Sequence, residues 1–413
     1  MFIEMHNVGF GDCFNITNNN HHLIVDCGSV RYKGNRQHPK TFKDFVEHCI
    51  IQEINMNPTD DYSALITHFH QDHYRGFNHM SKAFNMKSVF SCLYVPYLLV
   101  KDSATNEHFL LDQLICSFLI YANSSNYYKL ANDALNHIIN LAPLSIDNNV
   151  QHLCYGRSFS VYNKRFDVLW PDPTYTYLSA INNESSYDII EITGDALRTI
   201  QHSSSLENTT DSIFKIKKEL IELFNKWYTS YNHNDFSKAN RIELINRMKN
   251  PLDELLKIRQ SIKMDDIWKF RQYSALGKSL IDSANSTSIV FQDRDGKLLM
   301  TGDITTNIID RVLIYRFNIQ LYKILKAPHH GTHSNDRPAT QHYSSQHLPF
   351  SSNLLISSGY KTRYNPISQH YSTHRLSNKT SWCTAGKNHC DNLNNRCTCS
   401  NNSCRNDYVA LFF

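Results

Sequence analysis

The chain contains the run Thr67-His68-Phe69-His70-Gln71-Asp72-His73-Tyr74-Arg75-Gly76, which directly follows the apolar stretch Ala64-Leu65-Ile66. A strand that ends in a tight loop would aim the first two histidines the same way, because side chains alternate along a strand. The aspartate and the third histidine then turn with the loop and face a second point nearby. Imidazole and carboxylate suit zinc or a similar divalent ion, whereas a closed structural zinc site more often uses thiolates. The run therefore predicts a catalytic metal site, and a solvated histidine-rich loop is the weaker interpretation.

Four other segments carry short motifs in a fixed order around this run. Two precede it, Gly9-Phe10-Gly11-Asp12 and His22-Leu23-Ile24-Val25-Asp26-Cys27-Gly28. Two lie far downstream, Lys297-Leu298-Leu299-Met300-Thr301-Gly302-Asp303 and Ile324-Leu325-Lys326-Ala327-Pro328-His329-His330-Gly331-Thr332. Together with H-x-H-x-D-H, these motifs resemble the metallo-β-lactamase superfamily. The last motif is similar to the branch that includes the hydrolase domains of DNA-uptake (competence) proteins. The resemblance covers about residues 1–100, 155–173 and 285–370.

The resemblance implies an α+β fold, a four-layer αββα sandwich with two mixed sheets face to face and helices outside. We expect one metallo-β-lactamase-fold domain over residues 1–413, with a helical insertion over residues 174–284. Compact relatives have only a short connection where this insertion lies. Residues 380–405 form a cysteine-rich C-terminal loop in this interpretation.

The resemblance also implies the ligands of two divalent metal ions. They are His68 and His70 for the first ion, Asp72 and His73 for the second, Asp303 as the bridge, and His330 to complete the second. His330 is preferred to His329 because the family's last metal histidine precedes glycine, but the two could exchange roles.

One ligand of the first ion stays open. The family usually supplies a further histidine from the middle of the chain, and His108, His137 and His152 are all available, although some relatives lack this ligand. A second Thr-Gly-Asp sequence, Thr193-Gly194-Asp195, lacks the apolar strand that precedes Asp303, which favours Asp303 as the bridge.

The chemistry implied by a paired-metal site is hydrolysis. Two divalent ions can hold a bridging hydroxide, lower its pKa and neutralise a developing oxyanion. Asp72 and His329 are the catalytic candidates: Asp72 would orient the hydroxide, and His329 would stabilise negative charge on the substrate, as His333 or Lys326 also could. Asp26 would hydrogen-bond the metal histidines and fix their tautomers. Zinc is the expected metal, with manganese as the alternative.

The substrate is less constrained than the chemistry. The His-His-Gly-Thr ending favours a phosphodiesterase, and in particular a nuclease acting on DNA or RNA. Hydrolysis of a small ester, lactone, amide or cyclic nucleotide is the alternative enzyme function. A third hypothesis is a partner-binding subunit of a larger system with a metal core, which would bind a protein through the insertion. The formal charge of +4 shows no strong polybasic field and does not exclude nucleic acid.

The N-terminal sequence Met1-Phe2-Ile3-Glu4-Met5 has no basic region followed by an apolar core, so no signal peptide is predicted. The longest apolar stretch, around residues 89–100, is too short to span a bilayer. We therefore expect a cytoplasmic protein without a membrane association.

The 11 cysteines form two groups. Six are scattered in mostly apolar surroundings and are expected to be buried like small hydrophobic residues; they are Cys13, Cys27, Cys49, Cys92, Cys116 and Cys154. The other five are Cys383, Cys390, Cys397, Cys399 and Cys404. A structural zinc at these five is one interpretation, but the spacing lacks the paired C-x2-C of common zinc ribbons, which favours reduced surface thiols. The odd total and the absence of an export signal argue against a disulfide framework.

Hydrophobic periodicity predicts the elements around these motifs. Strands are expected near residues 2–6, 13–17, 22–26, 63–67, 89–96 and 165–171, and helices over residues 41–52, 107–121 and 128–141. Three helices are expected in the insertion: one capped by Asp211, one that begins at Asn250-Pro251 and one near Trp268. Their basic side chains are more typical of a solvated helix face than of a nucleic-acid surface.

Overall fold

The computed structural model describes residues 1–30, 32, 39–85, 87–97, 101–102, 107–108, 134–172, 207–230, 238–261, 284–317, 321–331, 348–358, 380–384 and 408–413. Within these residues the protein is a mixed α/β structure with two seven-stranded mixed sheets and a two-stranded ribbon. None of the helices in these ranges is both long enough and apolar enough to cross a bilayer.

The described strands, in chain order, are β1 (Phe2–His6), β2 (Cys13–Asn18), β3 (His21–Cys27), β4 (Asp61–Leu65), β5 (Cys92–Pro96), β6 (Lys101–Asp102), β7 (Glu107–His108), β8 (Val150–Leu153), β9 (Ser158–Val161), β10 (Lys164–Trp170), β11 (Val290–Asp293), β12 (Leu298–Met300), β13 (Leu321–Lys326), β14 (Phe350–Ile356), β15 (Thr380–Cys383) and β16 (Tyr408–Phe412). They match the predicted strands closely in the first third of the chain. The predicted helix over residues 107–121 is wrong at its start, because β7 pairs with β6 there.

The two sheets have the same arrangement of antiparallel and parallel strands. The first has the order β16-β1-β2-β3-β4-β5-β8, and the second has the order β15-β14-β13-β12-β11-β10-β9. In the first, the strands from β16 to β3 pair antiparallel and those from β3 to β8 pair parallel. In the second, the strands from β9 to β12 pair antiparallel and those from β12 to β15 pair parallel. Each sheet therefore contains one point where antiparallel pairing changes to parallel, at β3 in the first and at β12 in the second.

The described helices are α1 (Phe42–Phe45), α2 (Gln52–Met56), α3 (Gln71–Ala83), α4 (Ala134–Leu141), α5 (Glu207–Ser230), α6 (Lys238–Ser261) and α7 (Thr306–Arg311). A π-helical turn, Val46–Ile51, joins α1 to α2, and 3-10 turns lie at Ala142–Leu144, Ile146–Asn148, Leu313–Tyr315 and Pro328–Gly331. The helix predicted over residues 41–52 is confirmed and begins with a capping box, in which the side chains of Thr41 and Asp44 each accept a backbone hydrogen bond from the other residue.

Three hydrophobic clusters form the core. One contains side chains from both sheets, including Phe14 and Leu65 from the first and Phe166 and Phe291 from the second. A second cluster joins the first sheet to α1 through α6, and a third joins the second sheet to α7. Each sheet is thus covered by apolar contacts on both faces, as strands with long buried runs require.

The described part of the insertion consists of α5 and α6. The buried apolar residues of α5 recur every three or four positions, as an amphipathic helix requires; they are Ile213, Ile216, Leu220, Leu223, Phe224 and Trp227. The predicted start of a helix at Asn250-Pro251 is wrong, because Pro251 lies inside the continuous helix α6. The Asp211 cap is wrong as well, since α5 begins four residues earlier. The helix predicted near Trp268 lies outside the described residues.

A close backbone approach fixes the loop after β3 against the histidine run. An added Cβ at Gly28 would lie 2.2 Å from the carbonyl carbon of Asp72 and 2.2 Å from the backbone nitrogen of His73. No side-chain rotation relieves contacts with backbone atoms. We expect Gly28→Ala to lower the free energy of unfolding by about 3 kcal/mol, the upper end of ordinary overpacking.

Urea unfolding followed by tryptophan fluorescence measures this effect. Gly156→Ala is the matched control, because Gly156 has a φ of +83° but no atom within 4 Å of an added Cβ. The free energy of unfolding of the control should fall only by ~1–2 kcal/mol, the cost of an alanine in the left-handed conformation. Equal losses in the two variants would show that the approach at Gly28 does not constrain the fold.

Candidate metal centre

The polar residues predicted to bind metal lie at the carboxyl ends of parallel strands from both sheets. The histidine run follows β4, and its residues from Gln71 onward form the start of α3. Asp303 follows β12, and His330 follows β13 in the turn Pro328–Gly331. In open α/β sheets, ligands commonly bind outside the carboxyl ends of the strands.

A single carboxylate oxygen is the centre of the arrangement. Oδ2 of Asp303 lies 3.3 Å from Nε2 of His73 and 3.3 Å from Nε2 of His330. The same oxygen lies 4.0 Å from Nε2 of His68 and 3.9 Å from Nε2 of His329. His68, His73, His330 and Asp303 are all at most 1% exposed. Four imidazoles from two chain segments therefore point at one buried oxygen of a third segment.

The other two predicted ligands adjoin this group. Nε2 of His68 lies 2.9 Å from Nδ1 of His70, and Oδ2 of Asp72 lies 3.4 Å from Nε2 of His330. The structure thus brings together His68, His70, Asp72, His73, Asp303 and His330, with His329 beside them. These contacts place the side chains, while their role as ligands remains a prediction.

Carboxylates also contact the far side of two histidines. Asp26 lies 2.8 Å from Nδ1 of His73 and accepts hydrogen bonds from the backbone nitrogen and the hydroxyl of Thr67, each at 2.7 Å. Asp12 lies 3.1 Å from Nδ1 of His330. A carboxylate that accepts a hydrogen bond from the Nδ1–H group leaves the Nε2 lone pair for a metal, an arrangement common around metal-binding histidines. The contact predicted for Asp26 is confirmed.

Asp12 is a residue of the site that sequence reasoning missed. Asp12, His73, Asp303 and His330 form a buried group whose possible ligand atoms lie within 4.8 Å of one another. Asp12 nevertheless faces Nδ1 of both histidines rather than Nε2. We therefore assign Asp12 to the support of the ligands and not to direct coordination. The sequence feature that indicates Asp12 is the Gly11-Asp12 pair, an acidic residue directly before a strand.

Lys326 lies beneath the centre and does not reach toward a substrate. Its side chain is 1% exposed, and its Nζ lies 2.7 Å from Asp12 Oδ2 and 3.2 Å from Asp303 Oδ1. The ammonium also donates a 2.7 Å hydrogen bond to the carbonyl oxygen of Gly302. The expectation that Lys326 is available to stabilise charge on a substrate is therefore wrong. Instead, the ammonium holds one oxygen of Asp303 and leaves the other oxygen for the histidines.

The donor set fits a divalent metal ion. Nε2 of His73 and of His330 are buried without a hydrogen bond of ordinary length among the described residues, and their nearest carboxylate oxygens lie 3.3 Å away or farther. Buried polar atoms of this kind usually have a partner. Two ligand atoms held by one zinc at tetrahedral angles lie about 3.3–3.4 Å apart. The observed separations of 3.3 Å match that value.

In the metal-free site, the surrounding charges favour protonated histidines. Burial lowers the pKa of His73, but the carboxylates of Asp303, Asp26 and Asp12 outweigh burial and raise that pKa to about 10. Burial likewise lowers the pKa of His330, while Asp303 and Asp12 raise it well above its usual value. Burial alone would raise the pKa of Asp303, yet His330, His73 and Lys326 hold it well below the usual range. Near neutral pH the metal-free site therefore contains carboxylates and two protonated histidines.

Metal binding at pH 7 is expected to release about two protons, one each from His73 and His330, because a metal binds neutral imidazole. The direction follows from the raised pKa values of both groups, since each carries a proton at pH 7, where an ordinary histidine is mostly neutral. Calorimetric titration of zinc in buffers of different ionisation enthalpy counts these protons. A titration that releases none would contradict the assignment of these two histidines as ligands.

The histidines left open for the first ion lie in other surroundings. His137 packs against Tyr74, with ring centroids 3.9 Å apart and ring planes tilted by 41°, and His152 packs against Phe224 and Trp227 of α5. The one potential ligand group found among the described residues includes neither histidine. His108 lies in β7, but its side chain is outside the described part of the structure. Asp195 and His333 lie wholly outside the described residues.

The cysteine predictions are confirmed in part. Cys13, Cys27, Cys92 and Cys154 are buried, as expected, while Cys49 is half-buried and Cys116 lies outside the described residues. Only Cys383 of the C-terminal group falls within a described strand. The proposed structural zinc at Cys383, Cys390, Cys397, Cys399 and Cys404 thus stays a prediction.

Comparison with known proteins adds no assignment. No protein-family model matches the chain, and no curated protein matches it either.

Proposed function

We propose that this protein is a metal-dependent hydrolase of the metallo-β-lactamase type that cleaves phosphodiesters. One observation carries the proposal: Nε2 atoms of four histidines point at a single oxygen of Asp303 in a buried site. A carboxylate oxygen so surrounded is suited to bridge two cations. The donor set of imidazole and carboxylate favours zinc, with manganese as the alternative.

The arrangement of the core supports the same family. The cluster shared by the two sheets, together with the helix-covered cluster on each outer side, corresponds to the four layers of an αββα sandwich. We propose that fold, with α5 and α6 as described parts of an insertion packed on the first sheet. The contacts of His152, in the edge strand β8, with α5 support a position of the proposed insertion at that edge of the sheet.

Each side chain has a role in the proposed reaction. His68, His70, Asp72, His73, Asp303 and His330 would hold the two divalent ions, which would supply an activated water molecule and neutralise the negative charge that develops on the substrate. Asp303 joins the two halves of the site, with Oδ1 held by Lys326. Asp72 lies 3.4 Å from Nε2 of His330, at the N-terminus of α3, and its side chain is 15% exposed. Asp72 is therefore placed to accept a proton from the attacking water.

The phosphodiester substrate rests on the likeness of the His329-His330-Gly331 motif to DNA-uptake hydrolases. Chelated protein, reloaded with zinc or manganese, should be tested against single- and double-stranded DNA, RNA and bis-p-nitrophenyl phosphate. Small esters and lactones complete the panel. His70→Ala should abolish cleavage, and His48→Ala, an exposed histidine of the π-helical turn, is the matched control.

Cleavage that needs metal and disappears only in His70→Ala would support the proposal. A metal-loaded protein that cleaves none of the phosphodiesters would overturn the substrate class. Activity on esters or lactones alone would then identify a small-molecule hydrolase. A protein partner that remains bound to the His70→Ala variant would instead indicate a binding subunit.

A further inference from the structure

The motif after β13 has an unusual backbone. His329 and His330 both have positive φ, at 47° and 55°, with ψ values of 52° and 16°. Two consecutive non-glycine residues in the left-handed region are unfavourable, because the Cβ of each crowds the following carbonyl oxygen. Such strain persists where the surrounding structure imposes it, and it is often associated with function.

The left-handed pair has a specific geometric effect. Consecutive residues in an extended strand point to opposite sides. Here both side chains reach the same place, since Nε2 of His329 and Nε2 of His330 lie 3.9 and 3.3 Å from Oδ2 of Asp303. The turn therefore delivers two imidazoles to the centre where an extended chain would deliver one.

The four histidines around Asp303 fall into two pairs by distance. His73 and His330 lie 3.3 Å from Oδ2, and His68 and His329 lie 4.0 and 3.9 Å from it. Nδ1 of His70 lies 2.9 Å from Nε2 of His68. His70 therefore adjoins the pair that lies farther from Asp303. The two longer distances to Oδ2 would have to shorten by about half an ångström or slightly more to reach the separation of about 3.3–3.4 Å between two ligands of one tetrahedral metal.

We propose that His329 is the third histidine ligand of the first metal ion, together with His68 and His70 and the bridging Asp303. This inference rests on the proposed metal centre. It makes His329 a ligand rather than a group that contacts substrate, and it leaves no ligand role for His108, His137 or His152.

The metal stoichiometry of a glycine variant tests the assignment. Glycine accepts the left-handed conformation freely, so His329→Gly should fold at least as well as the wild type. We expect native mass spectrometry at limiting free zinc to find two ions in the wild type and one in His329→Gly. Asn85→Gly, at an exposed position with a φ of 50°, is the matched control and should keep two ions.

A second variant distinguishes the loss of a ligand from an indirect effect of the substitution on the metal site. His329→Cys, loaded with cobalt, should gain a thiolate-to-cobalt charge-transfer absorption that His152→Cys does not gain. Two zinc ions bound with unchanged affinity in His329→Gly, or one ion in both wild type and variant, would overturn the inference and leave the metal centre intact. A wild-type protein that binds no divalent metal would overturn the proposed function itself, so the two failures are distinguishable.

Discussion

Replacing Asp303 by alanine is expected to abolish both metal binding and hydrolysis. The substitution removes the oxygen toward which four histidines point and leaves Lys326 with Asp12 as its only carboxylate partner among the described residues. Loss of a group that merely supports a ligand costs about 10–100-fold in metal affinity or activity. Loss of the shared ligand should exceed this range, so turnover should fall to the background rate.

Metal content and turnover should be measured on the same samples. Asp303→Asn keeps the size of the side chain and removes its charge, and we expect it to lose metal as well. Asp253→Ala, on the exposed side of α6, is the matched control and should behave like the wild type. An Asp303→Ala protein that retains two metal ions would show that this carboxylate does not bridge them.

Replacing Lys326 by methionine should destabilise the metal-free protein by about 3–5 kcal/mol, as expected when one partner of a buried ion pair is removed. The ammonium lies between the carboxylates of Asp12 and Asp303, and no water replaces it easily because the side chain is 1% exposed. The variant removes the permanent cation between these two buried carboxylates and leaves them only His73 and His330 as shared cationic partners among the described residues. Methionine has a similar length, so packing alone does not explain a loss of this size.

Urea unfolding at neutral pH, in the presence of a chelator, measures the effect of Lys326→Met. Lys323→Met lies on the same strand with an exposed side chain and should change stability by less than about 0.5 kcal/mol. Similar stabilities for the two variants would mean that Lys326 does not carry a compensating charge in the folded state.

The ligand side chains could be predicted because they lie in short local motifs. The run from His68 to His73 comes from one strand end and one helix start, so sequence spacing alone places its members together. Asp303 and His330 each follow an apolar strand, which is also visible in sequence. That these three segments meet depends on pairing between distant strands, and only the order of the family motifs suggested it.

The supporting residues could not be predicted with the same method. The roles of Asp12 and Lys326 come from contacts across 314 residues of sequence, reaching from the start of β2 to the end of β13. Lys326 is the last residue of the apolar strand β13. A lysine in such surroundings indicates burial with a carboxylate partner. The sequence does not say which carboxylate. The left-handed pair at His329 was equally hidden, because neither residue type demands that conformation.

The helix start predicted at Asn250-Pro251 failed for a physical reason. Proline is tolerated at the first turn of a helix and is unfavourable inside one. In α6 the tertiary contacts of buried residues on both sides of Pro251, such as Met248 and Leu252, stabilise a continuous helix. Packing of the apolar face therefore outweighs the local preference.

The most direct test of the metal centre is anomalous diffraction from crystals soaked in zinc and measured on both sides of the zinc absorption edge. We predict two anomalous peaks on opposite sides of Asp303 Oδ2, one beside Nε2 of His73 and His330 and one beside His68 and His70. Peaks elsewhere on the protein, with none at Asp303, would contradict the account that this buried group of histidines and carboxylates is a metal centre.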